Sequence, residues 1–325
     1  MDYQTFFVFP AQGAQYPGMA VDFLRQGGEK VKRLFSMASE IQGKDMEDLL
    51  CNSSAEYLKR TDISQPAITL ANLAAAEYLA EKGIKPSGCA GFSLGEYAAL
   101  TTAGVISEED CLSLVTHRGN AMQAAIDNIQ GANEANAPGM AAVVGLAPET
   151  VEALIAEWKS QGLTGLYAAN FNSSKQVAVS GSAAALVEAE KRFKEAGAKR
   201  FMRLAVAGPY HSPFMKEAAD AFAPFLEKVH FSDPKIPIFS NVTGRQVLTG
   251  DEAKSLAIKQ IVEPVRWTDE EALMVKLGPK ELLETGPGKV LQGLWKDLGS
   301  IIPCYSAGTA GEIDELYKDE NLKCG

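Results

Sequence analysis

Apolar positions along the chain follow two rhythms. The short apolar run TFFVFP at 5–10 suits a strand buried on both faces, and the small-residue stretch SGCAGF at 87–92 is read as a second, weaker strand ahead of a turn. Between and after them the spacing turns helical, at about 28–43 and 64–83, briefly at 95–104, and over a long stretch opening at SEEDCLSLVTHRGNAMQAAID. Ser64 is placed to cap the second of these helices. Pro66 would then sit in its first turn, where a missing N–H costs little. Ser107 and Asp110 form a capping-box variant ahead of the long helix. Helices alternating with short apolar strands predict a mostly parallel sheet covered on both sides.

The stretch 138–207 has a different order. MAAVVGL reads as strand, PETVEALIAEWKSQG as helix, LYAANFN and QVAVSG as two strands around Ser173 and Ser174, SAAALVEAEKRFKEAG as helix, and RFMRLAV as strand. That βαββαβ order is the ferredoxin-like split unit. NIQGANEANAP just before it lacks periodicity and reads as a linker. The expected organisation is a large α/β domain of residues 1–137 and 208–325, interrupted by a small domain at 138–207, with a cleft between them.

Composition narrows the function. A chain of 325 residues that is 46% hydrophobic can bury a full core. Its net charge of -10 argues against a nucleic-acid partner, since no broad basic face is available to displace counterions from phosphates. Five cysteines without C-x-x-C spacing indicate neither a disulfide framework nor a zinc site. A reducing compartment is expected, and with no signal or spanning segment the protein is read as cytoplasmic, off the membrane, and monomeric.

GFSLG at 91–95 has the G-x-S-x-G pattern on a turn between strand and helix. Such a turn can lift Ser93 above the sheet edge, with the N–H of Leu94 and the helix N-terminus facing a developing oxyanion. The other reading is a tight turn with a serine cap, and the small residues Ser87 to Ala90, poor strand formers, keep it open. A serine nucleophile needs a base, and the chain has three histidines. His117 falls in the long helix and His230 in a polar stretch, both structural positions. His211 lies where the chain re-enters the large domain and a loop could face the cleft. No histidine follows His230, so the chain order of an ordinary α/β-hydrolase esterase is absent. In the long helix, Cys111, Val115, Arg118, Met122 and Ala125 share one stripe that is expected to face the interior. An interior Arg118 either meets something anionic or packs its stem on apolar surface and reaches water or a structural carboxylate.

FVFPAQGAQYPGM, GFSLGEYAAL, HRGNAMQ, AGPYHSPFM, SNVTG, EPVRW and ETGPGKVL resemble, in that order and over nearly the whole chain, the signatures of malonyl-CoA:acyl-carrier-protein transacylases. These are the stand-alone enzymes of fatty-acid synthesis and the related trans-acting acyltransferases of polyketide assembly. The resemblance implies an α/β-hydrolase-like large domain with a ferredoxin-like insert. It assigns Ser93 as nucleophile, His211 as base and later acid, and Gln12 with the N–H of Leu94 as oxyanion hole. Arg118 becomes the clamp for the malonyl carboxylate, and Asn241 a wall of the site. Gln260 matches the position whose backbone carbonyl orients the histidine, so no acidic triad member is required. The family most often has His where this chain has Phe92, which is expected to alter packing and leave catalysis intact.

The implied reaction is a ping-pong transfer from malonyl-CoA to the phosphopantetheine thiol of an acyl carrier protein, with no metal or bound cofactor and CoA arriving as the thioester substrate. The alternatives are an editing thioesterase acting on carrier-bound acyl groups, which Arg118 disfavours, and an inactive scaffold, which joint retention of Ser93, His211, Gln12 and Arg118 disfavours. Carrier proteins of this kind are acidic, so docking on an acidic enzyme calls for a local basic surface. KRFKEAGAKRFMR offers Lys191, Arg192, Lys194, Lys199, Arg200 and Arg203 against Glu195, and the same residues also suit a solvated helix face.

Overall fold

In the computed structural model, which describes residues 4–133, 137–204 and 208–318, the described residues form strands β1 (Thr5–Phe9), β2 (Gly88–Gly91), β3 (Gly139–Val144), β4 (Leu166–Ser173), β5 (Gln176–Gly181), β6 (Arg200–Arg203), β7 (Phe239–Ser240), β8 (Arg245–Gln246), β9 (Glu281–Glu284) and β10 (Cys304–Ser306). A four-stranded sheet has the order β10-β9-β1-β2 and is parallel throughout. Every residue of β1 is buried. Phe7 and Phe9 enter the core on one face of the sheet, and Phe6 and Val8 enter the core on the other, as a period of two requires. The small residues of β2 follow from close approach rather than strand propensity. A Cβ on Gly88 would lie 2.4 Å from the Phe6 ring.

The helix Thr61–Glu81 is buried on nearly every side and packs on the long helix Glu108–Asn133. It begins earlier than its sequence suggests. Ser64 is not its cap: Arg60 takes the N-cap position with no side-chain cap bond, and Pro66 sits inside the helix. The physical reason is tertiary, because the Thr61 N–H donates to Gln123 Oε1 at 2.9 Å on the long helix, satisfying a first-turn amide without a local cap. Ahead of the long helix, the Asp110 N–H donates to Ser107 Oγ at 3.0 Å and the hydroxyl donates back to the Asp110 carboxylate at 2.6 Å. The expected linker is largely helical, since this helix runs to Asn133 and Asn128 ties it to Glu217 at 2.7 Å. The remainder of that linker at 134–136, and the second domain boundary at 205–207, lie outside the described residues.

From β3 to β6 the order is strand, helix Pro148–Ser160, two strands, helix Ala183–Glu195, strand. These strands form an antiparallel sheet in the order β4-β5-β3-β6. Its helix-covered face has a core of its own, including Val143, Val151, Trp158, Leu186 and Phe193. The β4 edge is not free: Phe171 donates to the Val265 carbonyl at 2.9 Å and Val265 to Ala169 at 2.8 Å. Met140 of β3, Asn170 of β4 and Ala178 of β5 line one cavity with Gln12 and Leu94 of the large body.

Candidate active site

Ser93 stands between β2 and the helix Gly95–Thr102 with a φ of 48°, and His211 has a φ of 52°. Left-handed backbone in non-glycine residues is strained, and it persists where surrounding contacts over-determine it. Here the two glycines of the motif serve contact rather than φ. A Cβ on Gly95 would lie 2.0 Å from the Phe9 carbonyl oxygen, and one on Gly91 would lie 2.1 Å from the backbone of Gly95. The turn is pinned from below, where Gln260 Nε2 donates to the Ser93 carbonyl at 2.8 Å and Asn241 Nδ2 to the Gly91 carbonyl at 2.7 Å.

Ser93 Oγ lies 2.8 Å from His211 Nε2. His211 Nδ1 faces two backbone carbonyls, Gln260 at 3.0 Å and Glu263 at 3.1 Å. Both partners can only accept, so Nδ1 carries the proton and Nε2 is left to take one from the serine hydroxyl. Burial, with the Arg118 charge second, pushes the imidazole pKa down to about 4, partly offset by the two carbonyls. The ring is therefore neutral near pH 7, as a base must be.

Arg118 is 1% exposed and lines the same cavity of about 710 Å³ as Ser93 and His211. Its Nη1 donates to Gln65 Oε1 at 2.8 Å and its Nη2 to Gln260 Oε1 at 3.1 Å, and it lies 5.6 Å from the Tyr97 ring centroid. Among the described residues it makes no ion pair, and its Nε has no hydrogen-bond partner. Glu96 stands behind Gln260, accepting from its Nε2 at 2.6 Å, and burial pushes this carboxyl up to about 7. Neutral amides thus hold the guanidinium without cancelling its charge. A buried cation facing a cavity is set to bind an anionic group.

Gln12 and Leu94 line the cavity beside Ser93. The Gln12 side-chain amide donates to Lys59, Thr61 and Tyr210 through bonds of 3.3–3.4 Å. Phe92 also lines the cavity, edge-on to Trp267 with ring centroids 5.5 Å apart. Asn241 and Gln260 are not among the cavity-lining residues and form the layer beneath it, with Asn241 Nδ2 also bonded to Glu270 at 2.8 Å. Sequence reasoning missed Gln65, Glu263 and Tyr210. The signal available for Gln65 was an amide beside the apolar stretch PAITLANLAAA of its helix.

The basic stretch is less free than its sequence implies. Arg192 pairs with Glu188 at 2.7 Å and Lys194 with Glu190 at 2.6 Å, acids one turn upstream. Lys191, Lys199, Arg200 and Arg203 are exposed and make no ion pair among the described residues. Those residues contain no group of three His, Cys, Asp or Glu placed to hold a metal, and no helix long and apolar enough to cross a membrane.

The family model described as acyl transferase domain matches residues 6–310. The malonyl CoA-acyl carrier protein transacylase of Haemophilus influenzae is 38% identical over 311 residues, 95% of this chain and 96% of the relative. The crystal structure of the Streptococcus pneumoniae MCAT superposes with a TM-score of 0.89 at 33% identity, covering 97% of this chain and 100% of that one. A malonyl-transacylase solved in complex with its type II PKS acyl-carrier protein gives a TM-score of 0.87 at 34% identity, over 98% of this chain and 99% of the other.

Proposed function

The chain belongs to the acyl transferase domain family, and from that premise we propose that it moves a malonyl group from malonyl-CoA to the phosphopantetheine thiol of an acyl carrier protein. The observation that carries the reading is the buried Arg118 guanidinium, unpaired by any carboxylate among the described residues, in the cavity that holds the Ser93–His211 pair. Ser93 Oγ attacks the thioester carbonyl while His211 Nε2 takes its proton. The N–H groups of Leu94 and Gln12 face the tetrahedral oxyanion. On collapse the C–S bond breaks and His211 returns the proton to the departing CoA sulfur. In the second half the carrier thiol gives its proton to His211 and attacks the malonyl ester, and Ser93 recovers the proton as it leaves. CoA enters only as part of the substrate, and no cofactor takes part.

This reading carries the fold with it: an α/β-hydrolase-like large domain of residues 1–137 and 208–325 with a ferredoxin-like insert at 138–207. The strand orders β10-β9-β1-β2 and β4-β5-β3-β6 support it. The enzyme is taken as a cytoplasmic monomer.

Arg118 decides the acyl group. A planar guanidinium can bind the free malonyl carboxylate through two parallel hydrogen bonds, and acetyl leaves the buried charge unpaired. With charge-assisted bonds worth roughly 1.5–3 kcal/mol, Arg118→Ala is expected to lower kcat/KM for malonyl-CoA by about 10² or more and to spare or improve acetyl-CoA. Arg118→Lys recovers only part of the malonyl activity, because an ammonium lacks the fork. Both substrates measured on all three proteins provide the test. Equal losses on malonyl and acetyl would assign Arg118 to the fold and place the clamp elsewhere.

Carrier docking rests on the unpaired part of the basic stretch, Lys191, Lys199 and Arg200, with Arg192 and Lys194 contributing less because their charges are engaged. Lys199→Glu with Arg200→Glu should raise KM for the carrier several-fold at low salt, with the difference shrinking as salt is added. The malonyl-CoA half-reaction should be unchanged. Carrier kinetics indifferent to the reversal at low salt would remove the patch from the docking surface.

A further inference from the structure

The EPVRW segment enters the chemistry above only through the Glu263 carbonyl, yet it touches three parts of the site. At its start, the Glu263 carbonyl joins that of Gln260 in accepting from His211 Nδ1. Two residues on, Val265 is bonded in both directions to β4 of the insert. Arg266 anchors the segment to the large body through its N–H, which donates to the Asn241 carbonyl at 2.8 Å. Its guanidinium reaches the other way. It lies 5.2 Å from the Phe171 ring centroid on β4 and bonds Glu152, on the first insert helix, at 3.0 Å. A second, longer contact to Asp269 at 3.8 Å stays on its own side. Trp267 completes the segment, its ring edge-on to Phe92 beside the nucleophile.

We infer that Arg266 is a positioning residue, a clasp that binds the insert to the loop whose carbonyls hold His211. The inference rests on the proposed Ser93–His211 reading for its kinetic consequence and on geometry alone for its structural one. His211 has a left-handed backbone, which needs support from its surroundings. That support comes from the 260–263 carbonyls on one side and, through Ser180 Oγ donating to the Tyr210 carbonyl at 2.6 Å, from the insert on the other. With no carboxylate partner among the described residues to fix the ring, its orientation depends on where the insert presses the 263–266 backbone. Phe171 is the shared point, because its N–H bonds Val265 while its ring carries the Arg266 guanidinium. Loss of the clasp lets the β4–Val265 pairing breathe and the Glu263 carbonyl drift from Nδ1.

The cost is moderate, since the Arg266 and Glu152 side chains are 31% and 52% exposed and such pairs are weak in themselves. Misplacement of a catalytic group by a fraction of an ångström is nonetheless amplified in rate. Arg266→Ala is expected to lower kcat about ten-fold in both half-reactions, with KM for malonyl-CoA within about two-fold of wild type. Arg266→Lys, which can keep the Glu152 contact, and Glu152→Ala, which keeps the Phe171 contact, should lie between the two.

The readout independent of malonyl chemistry is nitrogen-15 NMR of the histidine side chains. The chain has three, and His211→Gln identifies the resonance of interest. Exchange of the His211 Nδ1 proton with water should quicken by about ten-fold in Arg266→Ala, with the thermal midpoint little changed. Rapid exchange together with the kcat loss supports the clasp. An unchanged exchange rate in Arg266→Ala overturns it, whatever kcat does, and so does a wild-type kcat. Should Arg266→Ala fail to fold, Arg266→Lys and Glu152→Ala decide by the same two measurements. A wild-type protein that never acylates would sink the proposed function and leave the exchange result standing.

Discussion

Ser93→Ala will abolish malonyl transfer, with a loss on the order of 10⁵ or more, because removal of the nucleophile leaves only binding and oxyanion donors to act on the thioester. The substitution is clean for a structural reason. Alanine carries the same Cβ as serine, so the strain of a φ near 48° is the same in both, and the Phe9–Gly95 approach that forces the turn is untouched. What disappears is the hydroxyl 2.8 Å from His211 Nε2. A steady-state assay of malonyl transfer to a carrier protein checks it. A variant working near the wild-type rate would end the nucleophile assignment.

His211→Ala is expected to cost a factor on the order of 10³ or more, comparable to losing the base in other serine enzymes. The environment of His211 also sets a pH signature. With its pKa pushed down to about 4, the imidazole stays neutral well below 6.5, the ordinary value, so the acid limb of the acylation rate should fall near pH 4 to 5. The same shift bears on stability. As pH drops below 6.5 the unfolded chain takes up the proton first, so the folded state loses stability between about 6.5 and 4. Glu96 acts in the opposite sense: its carboxyl titrates near 7 when folded, so stability is lost as pH rises from 4.5 through about 7. A limb centred at 6.5 in pre-steady-state acylation would contradict the neutral, desolvated base.

Much of this site is legible in the sequence. The Ser93 turn followed from the G-x-S-x-G motif and the βαββαβ order from the alternation of strand and helix patterns, and the stripe from Cys111 to Ala125 put Arg118 inside. His211 stood out by its place at the re-entry of the large domain. What the sequence hid was tertiary. Ser64 looked like a cap because local rules ignore Gln123, which reaches across to satisfy the Thr61 amide. The stretch from Asn128 looked like a linker because its composition outweighs, locally, the tie to Glu217. β2 looked weak because propensity cannot anticipate the Phe6 ring against Gly88. The basic stretch looked free because Glu188 and Glu190 lie just outside the window that defined it. Gln65 was passed over because a hydrogen bond to Arg118, 53 residues away, leaves no periodic trace.

The central claim is a malonyl ester on Ser93 that a carrier thiol then removes. Intact-protein mass spectrometry after brief incubation with malonyl-CoA, followed by peptide mapping, tests it directly. The account predicts one added malonyl group, located on the peptide containing Ser93, absent from Ser93→Ala, and discharged when a phosphopantetheine-bearing carrier protein is added. A protein that transfers malonyl while carrying no adduct, or that carries it on another residue, would contradict the account.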